Sequence, residues 1–227
     1  MPRPKTPSES AMRRQAMFRS GRLAAYSALQ KAGFHDPIGN SRGDSNDRAD
    51  KITDDHRVRV VGKNPDRSPC WPTGFVGSIS HSDRWVLAVA ARASDYQSLG
   101  IDSEIMVAER IAKELQPNIG TPSEWQLLDN VGIKLTSAFT LLFSAKESFY
   151  KCWYPLKRKF MEHLDVAACD IKPDLNAKDR DANFGAIVLR PRIANTYVEK
   201  HEADAMQLAI RYCFTSHDVF TIATLLY

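Results

Sequence analysis

The sequence has no long apolar run, no closely paired cysteines and no block of one charge sign, and each absence argues against a class of protein. Its apolar stretches fall well short of the roughly 18 residues that a membrane-spanning helix needs. Its 4 cysteines form no C-x-x-C pair and have no histidine at metal-ligand spacing. The first residues lead into charged positions, so no secretory signal is visible. We therefore expect a cytoplasmic protein without a membrane segment.

The composition that remains is that of an ordinary globular protein. The chain has 227 residues, of which 43% are hydrophobic and 26% charged, and its formal net charge is +4. This length suffices for one large domain or two small ones, and we expect a monomer. Because the arginines are dispersed, a nucleic-acid-binding module is disfavoured, since it would need a continuous basic surface. The mild positive charge suits an anionic ligand or an acidic partner.

Apolar residues at helical spacing predict two long helices. The first spans residues 10–32 and ends at Gly33. Its apolar stripe starts at Phe18 and contains Arg22, whose charge needs an anionic partner if it is buried, either a local carboxylate or a bound phosphate. The second helix spans residues 135–153.

The second helix ends before Pro155 and carries a polar row on one side. In this row Glu147 and Lys151 lie one turn apart. Such a row is usually an exposed ion-pair face, and the alternative is a functional site.

Short apolar segments between and after these helices predict strands, and the order of elements favours an α/β (α+β) fold. A polar stretch over residues 37–55 is typical of a loop or an insertion. Two short helices are expected at residues 105–115 and 122–129. The predicted strands cover residues 58–61, 75–80, 85–91, 99–102, 166–171, 184–189, 208–214 and 219–226.

Three carboxylates are candidate metal ligands. Asp102 and Glu104 are two residues apart, so on a strand they point to the same side. Glu147 comes from the second long helix. Oxygen donors without His or Cys suit a hard cation such as Mg²⁺. The alternative is that the D-x-E pair belongs to a solvated loop.

Several motifs in this order resemble the signature of the 4′-phosphopantetheinyl transferases, and most closely the branch associated with enterobactin-type siderophore synthetases. They are GRLAA at residues 21–25, WPTGFVGSISHS at 71–82, GIDSE at 100–104 and FSAKESFYK at 143–151. The resemblance implies two pseudo-twofold-related α/β subdomains. These would be residues 1–102, which face coenzyme A, and residues 103–227, which carry the second long helix.

The resemblance also implies an activity. The chain would be a holo-carrier-protein synthase, which transfers 4′-phosphopantetheine from coenzyme A to a serine of an acyl, aryl or peptidyl carrier protein in the presence of Mg²⁺. Adenosine 3′,5′-bisphosphate would be released, and the pathway would make a siderophore or another nonribosomal peptide or polyketide. The alternative is another Mg²⁺-dependent phosphate-transfer or hydrolytic enzyme that uses the same carboxylates.

Residue roles follow from the matched motifs. Asp102, Glu104 and Glu147 would hold the metal ion. Glu147 would also be the general base toward the serine, or only a metal ligand, and Lys151 would neutralise the departing phosphate. The residues expected to contact coenzyme A are Arg22, Arg67, Ser80, His81, Lys146 and Lys151, with Lys63 as a substitute for Arg67 on charge alone.

Overall fold

The computed structural model describes residues 8–37, 53–174, 183–192 and 207–227. Within these ranges blocks of helices and blocks of strands combine in a mixed fold, which confirms the predicted α/β class. The helices are α1 Glu9–Lys31, α2 Asp54–Val60, α3 Glu109–Ile119, α4 Pro122–Asn130 and α5 Leu135–Lys157, with a 3-10 helix at His163–Asp165. The strands are β1 Gly62–Lys63, β2 Pro69–Cys70, β3 Phe75–His81, β4 Val86–Arg92, β5 Tyr96–Ile105, β6 Val166–Pro173, β7 Asn183–Pro191, β8 Leu208–Phe214 and β9 Asp218–Leu226.

Helix α1 packs on the antiparallel hairpin of β3 and β4. It begins at Ser8, whose side chain accepts a hydrogen bond from the backbone of Ala11, and it is followed by Gly33 in the left-handed conformation. Leu29 is fully buried in the core between the helix and the hairpin. Phe18, predicted to lie in the buried stripe, is 42% exposed, so that prediction is wrong at this position.

Helix α5 packs on an antiparallel sheet of five strands in the order β5-β9-β8-β7-β6. Gly100 allows the close approach of helix and sheet, because a Cβ at this position would overlap the Ser148 carbonyl oxygen and lie 2.7 Å from the Cys152 nitrogen. The helix therefore lies directly over the middle of β5, and its side chains reach the residues that follow Gly100. This contact decides where the carboxylates of β5 meet those of α5.

Serine side chains connect the hairpin to the five-stranded sheet. Ser78 Oγ accepts a hydrogen bond from the backbone nitrogen of Ile101 at 3.1 Å. Two residues along β3, Ser80 Oγ donates to Asp102 Oδ1 at 2.8 Å. Since these hydroxyls join strands of two different sheets, the position of Asp102 depends on both sheets.

Two boundaries differ from the predictions. Residues 58–61 were expected as a strand, but residues 54–60 form α2, because the Thr53 side chain caps the helix and two aspartates occupy its first turn. Helix α5 continues past Pro155 to Lys157. Pro155 lies in the last turn of the helix, where its missing N–H costs one hydrogen bond and only two helical residues follow it.

The remaining predicted elements are present within a few residues of their expected bounds. Most of the polar stretch expected at residues 37–55 lies outside the described residues, which exclude 38–52. The expected division between residues 102 and 103 falls inside β5, and the division into subdomains stays a prediction. In the part of the chain that the structure describes, no helix is both long and apolar enough to cross a membrane.

Candidate active site

Asp102 lies in the middle of a hydrogen-bonded cluster where β5 meets α5. Its side chain is buried, and Oδ1 lies 2.6 Å from Lys151 Nζ. Lys151 also donates to Ser80 Oγ and to the Ile101 carbonyl oxygen, each at 3.2 Å. Three predicted site residues from three segments, Ser80, Asp102 and Lys151, are therefore in direct contact. The other oxygen of Asp102, Oδ2, is buried and has no hydrogen-bond partner among the described residues.

Glu147 lies one turn before Lys151 on α5 and is paired with a histidine that the sequence did not indicate. Its Oε1 is 3.0 Å from Nε2 of His163, the first residue of the 3-10 helix. The hydrogen bond from His163 is the main reason that the pKa of Glu147 is lowered; burial opposes this effect, and the charge of Lys151 adds to it. Glu147 is therefore ionised at neutral pH.

Glu104 is the third predicted ligand, and its pKa is raised by burial and by neighbouring carboxylates. Burial, followed by repulsion from Asp102 and Glu147, raises its pKa to about 7 against the attraction of Lys151. The three carboxylates are therefore close enough to interact electrostatically. Each lies on the side where α5 covers β5.

The described residues contain no group of three or more His, Cys, Asp or Glu side chains arranged to hold a metal ion. The reason is local, since Asp102 is turned toward Lys151 and Glu147 toward His163. The donor set nevertheless suits a hard divalent cation: its ligating atoms are oxygens, one buried carboxylate oxygen has no partner, and a positive charge would relieve the repulsion at Glu104. The shared metal site stays a prediction.

A cavity of about 570 Å³ opens beside this cluster, between the segment from β1 to β3 and the second half of α5. One wall is held by Asp66, which accepts hydrogen bonds from Tyr154 at 2.9 Å and Arg158 at 2.8 Å. The hydrogen bonds from Ser68, followed by that from Tyr154, lower the pKa of Asp66 to about 2, so the Asp66 carboxylate stays ionised at neutral pH. Arg67 and Lys151 both line the cavity, which gives it cationic side chains at two places.

The other predicted coenzyme A contacts lie outside this cavity. Arg22 is buried over the ring of Phe18, and its Nε has no hydrogen-bond partner in the described part of the chain. Burial lowers the pKa of Arg22, and none of the described carboxylates forms an ion pair with it. His81 is exposed at the end of β3, and Lys63 is exposed in β1. None of these side chains lines the cavity.

Lys146 does not have the position that a phosphate contact requires. Its side chain is 1% exposed and pairs with Glu124 Oε1 at 2.7 Å. Its ammonium also donates to the carbonyl oxygens of Ile119 at 2.8 Å and His163 at 2.9 Å, so its three donors are used inside the protein. We therefore correct the prediction for Lys146: in this structure it is a core residue of α5.

Sequence reasoning missed several residues around the site. Tyr154 and Arg158 lie three and seven residues after Lys151, so helical spacing could have indicated that they share its side of α5. No such signal existed for His163, because a change of chain direction separates it from Glu147. The sequence also contained no indication that Asp66 contacts α5, since the two segments are far apart along the chain.

A second cavity, of about 680 Å³, lies between α3, α4 and the start of α5. None of the predicted site residues lines it. The cavity of about 570 Å³, which Arg67 and Lys151 line, therefore stays the candidate site.

Two family profiles match the sequence. Residues 98–212 match the profile described as the 4′-phosphopantetheinyl transferase superfamily. Residues 5–91 match the profile described as the 4′-phosphopantetheinyl transferase N-terminal domain. Together they include β5, α5 and the hairpin that form the candidate site.

Individual relatives carry related names. The chain is 36% identical over 142 residues to enterobactin synthase component D of Salmonella typhimurium, covering 62% of this chain and 49% of the relative. It is 45% identical over 85 residues to the protein of that name from Escherichia coli, covering 37% and 39%. It is 33% identical over 136 residues to the 4′-phosphopantetheinyl transferase Npt of Nocardia iowensis, covering 60% of each. The matches thus span about half the length of these relatives.

Proposed function

This chain belongs to the 4′-phosphopantetheinyl transferase superfamily, and on that premise we propose that it transfers 4′-phosphopantetheine from coenzyme A to a serine of a carrier protein. The family resemblance found in the motifs is thereby confirmed, including its enterobactin branch. The observation that carries the proposal is the contact of Asp102 with Lys151, which also lines a cavity with a second cation, Arg67, while Glu104 interacts electrostatically with Asp102, Glu147 and Lys151.

The proposed site holds Mg²⁺ between Asp102, Glu104 and Glu147. When bound, the ion would offset the negative charge of the diphosphate and of the carboxylates. Support comes from the unpartnered Oδ2 of Asp102 and from the raised pKa of Glu104. Both support a bound cation, because Lys151 offsets only part of the negative charge of the three carboxylates.

The reaction is an attack of the serine oxygen on the β-phosphorus of coenzyme A. A new phosphorus–oxygen bond forms, the bond to the bridging oxygen breaks, and adenosine 3′,5′-bisphosphate leaves with that oxygen. Glu147, which is ionised at neutral pH, would accept the serine proton. Lys151 would neutralise the leaving phosphate, since its ammonium is partly exposed and lines the cavity. Phosphoryl transfer depends mainly on such positioning and charge neutralisation.

Three further residues would bind coenzyme A. Arg67 is proposed to contact the nucleotide end because it lines the cavity. Arg22 would contact a phosphate, since it is buried and no described carboxylate pairs with it. His81 is proposed as a phosphate contact from its place in the family motif and its exposure at the end of β3.

The partner is proposed to be an acyl, aryl or peptidyl carrier protein of a siderophore or another nonribosomal peptide or polyketide pathway. The names of the relatives from Salmonella typhimurium and Escherichia coli favour a siderophore synthetase. The net charge of +4 would favour encounter with an acidic carrier.

The test is to incubate the protein with coenzyme A, Mg²⁺ and an apo-carrier, and to weigh the carrier by mass spectrometry. We expect a gain of one phosphopantetheine, which EDTA prevents. Asp102→Asn and Glu147→Gln should abolish this gain, whereas the matched exposed carboxylate variant Glu109→Gln should keep it. Consumption of coenzyme A without carrier modification would instead identify a hydrolytic enzyme that uses the same carboxylates.

A further inference from the structure

His163 is placed to act on the site through Glu147 without itself being one of the family motif residues. Its Nε2 lies 3.0 Å from Glu147 Oε1. An ionised carboxylate only accepts hydrogen bonds, so the imidazole must be the donor. The other oxygen of Glu147, Oε2, has no hydrogen-bond partner among the described residues.

The imidazole of His163 is itself held in place from two sides. Its ring stacks on Phe143, with ring centroids 5.0 Å apart and an angle of 26° between the planes. Its backbone carbonyl accepts a hydrogen bond from the buried Lys146. The ring is nevertheless about 29% exposed and faces a cavity of about 480 Å³ that Glu147 also lines. Core packing alone therefore does not account for a histidine at this position.

We propose that His163 is a positioning residue, which fixes the Glu147 carboxylate through Oε1 and leaves Oε2 available for the divalent ion or the serine proton. The proposal rests on the function proposed above. Carboxylates that bind metal ions are commonly oriented by a hydrogen bond of this kind, and removing such a partner costs about 10-fold to 100-fold in metal affinity or activity. Without the donor, the Glu147 side chain would lose its single orientation.

Two substitutions separate the hydrogen bond from the packing. His163→Phe keeps an aromatic ring on Phe143 and removes the donor. His163→Gln places an amide N–H near the position of Nε2 and removes the ring. In both variants the backbone carbonyl that accepts from Lys146 remains. His217→Phe is the matched control, because His217 is exposed and its side chain has no hydrogen bond to any described residue.

The first measurement is the affinity for Mn²⁺, taken from the electron paramagnetic resonance signal of free Mn²⁺ with the full chain and no other substrate. We expect His163→Phe to weaken binding by about 10-fold to 100-fold. His163→Gln should stay within about threefold of the original protein by the same reasoning, as should the control. Equal weakening in the Phe and Gln variants, or none in the Phe variant, would overturn the proposal. Melting temperatures confirm that each variant is folded.

The second measurement is carrier modification, with kcat and KM determined separately. His163→Phe should lower kcat and leave the KM for the carrier nearly unchanged, and it should add no further loss in a Glu147→Gln background. An additional loss in that background would show that His163 does not act through Glu147. The Mn²⁺ affinities of the original protein and its variants could follow the expected order while the original protein modifies no carrier. In that case the positioning role stands and the proposed function fails.

Discussion

Replacing Lys146 by Met distinguishes a core lysine from a phosphate contact. The ammonium group lies 2.7 Å from Glu124 Oε1, and both side chains are 1% exposed. Glu124 also accepts from Thr121, Ala168 and Arg192. The substitution therefore leaves the buried Glu124 carboxylate paired with Arg192 alone, instead of with both Lys146 and Arg192.

The size of the effect follows from this burial. Removing one partner of a buried ion pair costs about 3–5 kcal/mol, because the other charge stays in the interior without full compensation. In a chain of this length each kcal/mol lowers the melting temperature by about 2–4 °C, so the expected drop is about 6–20 °C. The double variant Lys146→Met with Glu124→Leu should recover part of this loss, since it removes both charges.

The assay compares thermal unfolding with the KM for coenzyme A. Lys113→Met is the matched control, because Lys113 also pairs with a glutamate on a helix but both side chains are 65% exposed. An exposed pair of this kind contributes about 0.3–0.5 kcal/mol, so the control should unfold near the temperature of the original protein. If Lys146→Met keeps its melting temperature and raises the KM for coenzyme A, our assignment of Lys146 to the core is wrong.

Three other substitutions test the site. The first is Glu104→Gln, tested in EDTA. Burial and the charge of Asp102 raise the pKa of Glu104 in the folded protein to about 7. Protonated Glu104 therefore stabilises the folded protein fully below its unfolded pKa, and this stabilisation is lost as the pH rises through 7. Urea unfolding should show a loss of at most about 3 kcal/mol between pH 5 and pH 8, reduced by solvent screening, and Glu104→Gln should lack it; equal losses would contradict the assignment. Gly100→Ala should lower stability by about 1–3 kcal/mol in thermal unfolding, because its Cβ would meet the Ser148 carbonyl, and an unchanged melting temperature would argue against that contact. Arg22→Ala should chiefly raise the KM for coenzyme A in steady-state assays, whereas an unchanged KM would assign Arg22 a structural role.

The periodicity of apolar residues was sufficient to predict most helices and strands of the fold. Strand β8 spans Leu208–Phe214, the predicted residues, because its inward and outward side chains alternate. The error at residues 58–61 arose because three valines in that region outweighed the helix cap at Thr53. A cap and two aspartates are a stronger indication of a helix start than β-branched residues are of a strand in so short a segment.

Within the site, the helical spacing of α5 indicates which of its side chains are buried. Leu142, Lys146, Phe149 and Trp153 follow helical spacing, and all four are buried. Lys146 therefore belonged to the core stripe of α5 by position, whereas its neighbour Glu147 lies about 100° further around the helix axis, on the side of His163. Its pairing with Glu124 could not have been foreseen, because that contact depends on how α4 packs against α5.

The charges where β5 meets α5 explain why the carboxylates interact without forming a finished metal site. Asp102, Glu104, Glu147 and Lys151 leave a formal charge of −2 when all are ionised. Bringing them together opposes folding, and this repulsion adds to burial, which is the main cause of the raised pKa of Glu104. The close packing at Gly100 and the serine hydrogen bonds of β3 supply the contacts that hold the cluster in place. Without a cation this cluster destabilises the folded protein, and a divalent cation would compensate its charge. Such a loss of stability is expected at a functional site, where residues are retained for chemistry and not for stability.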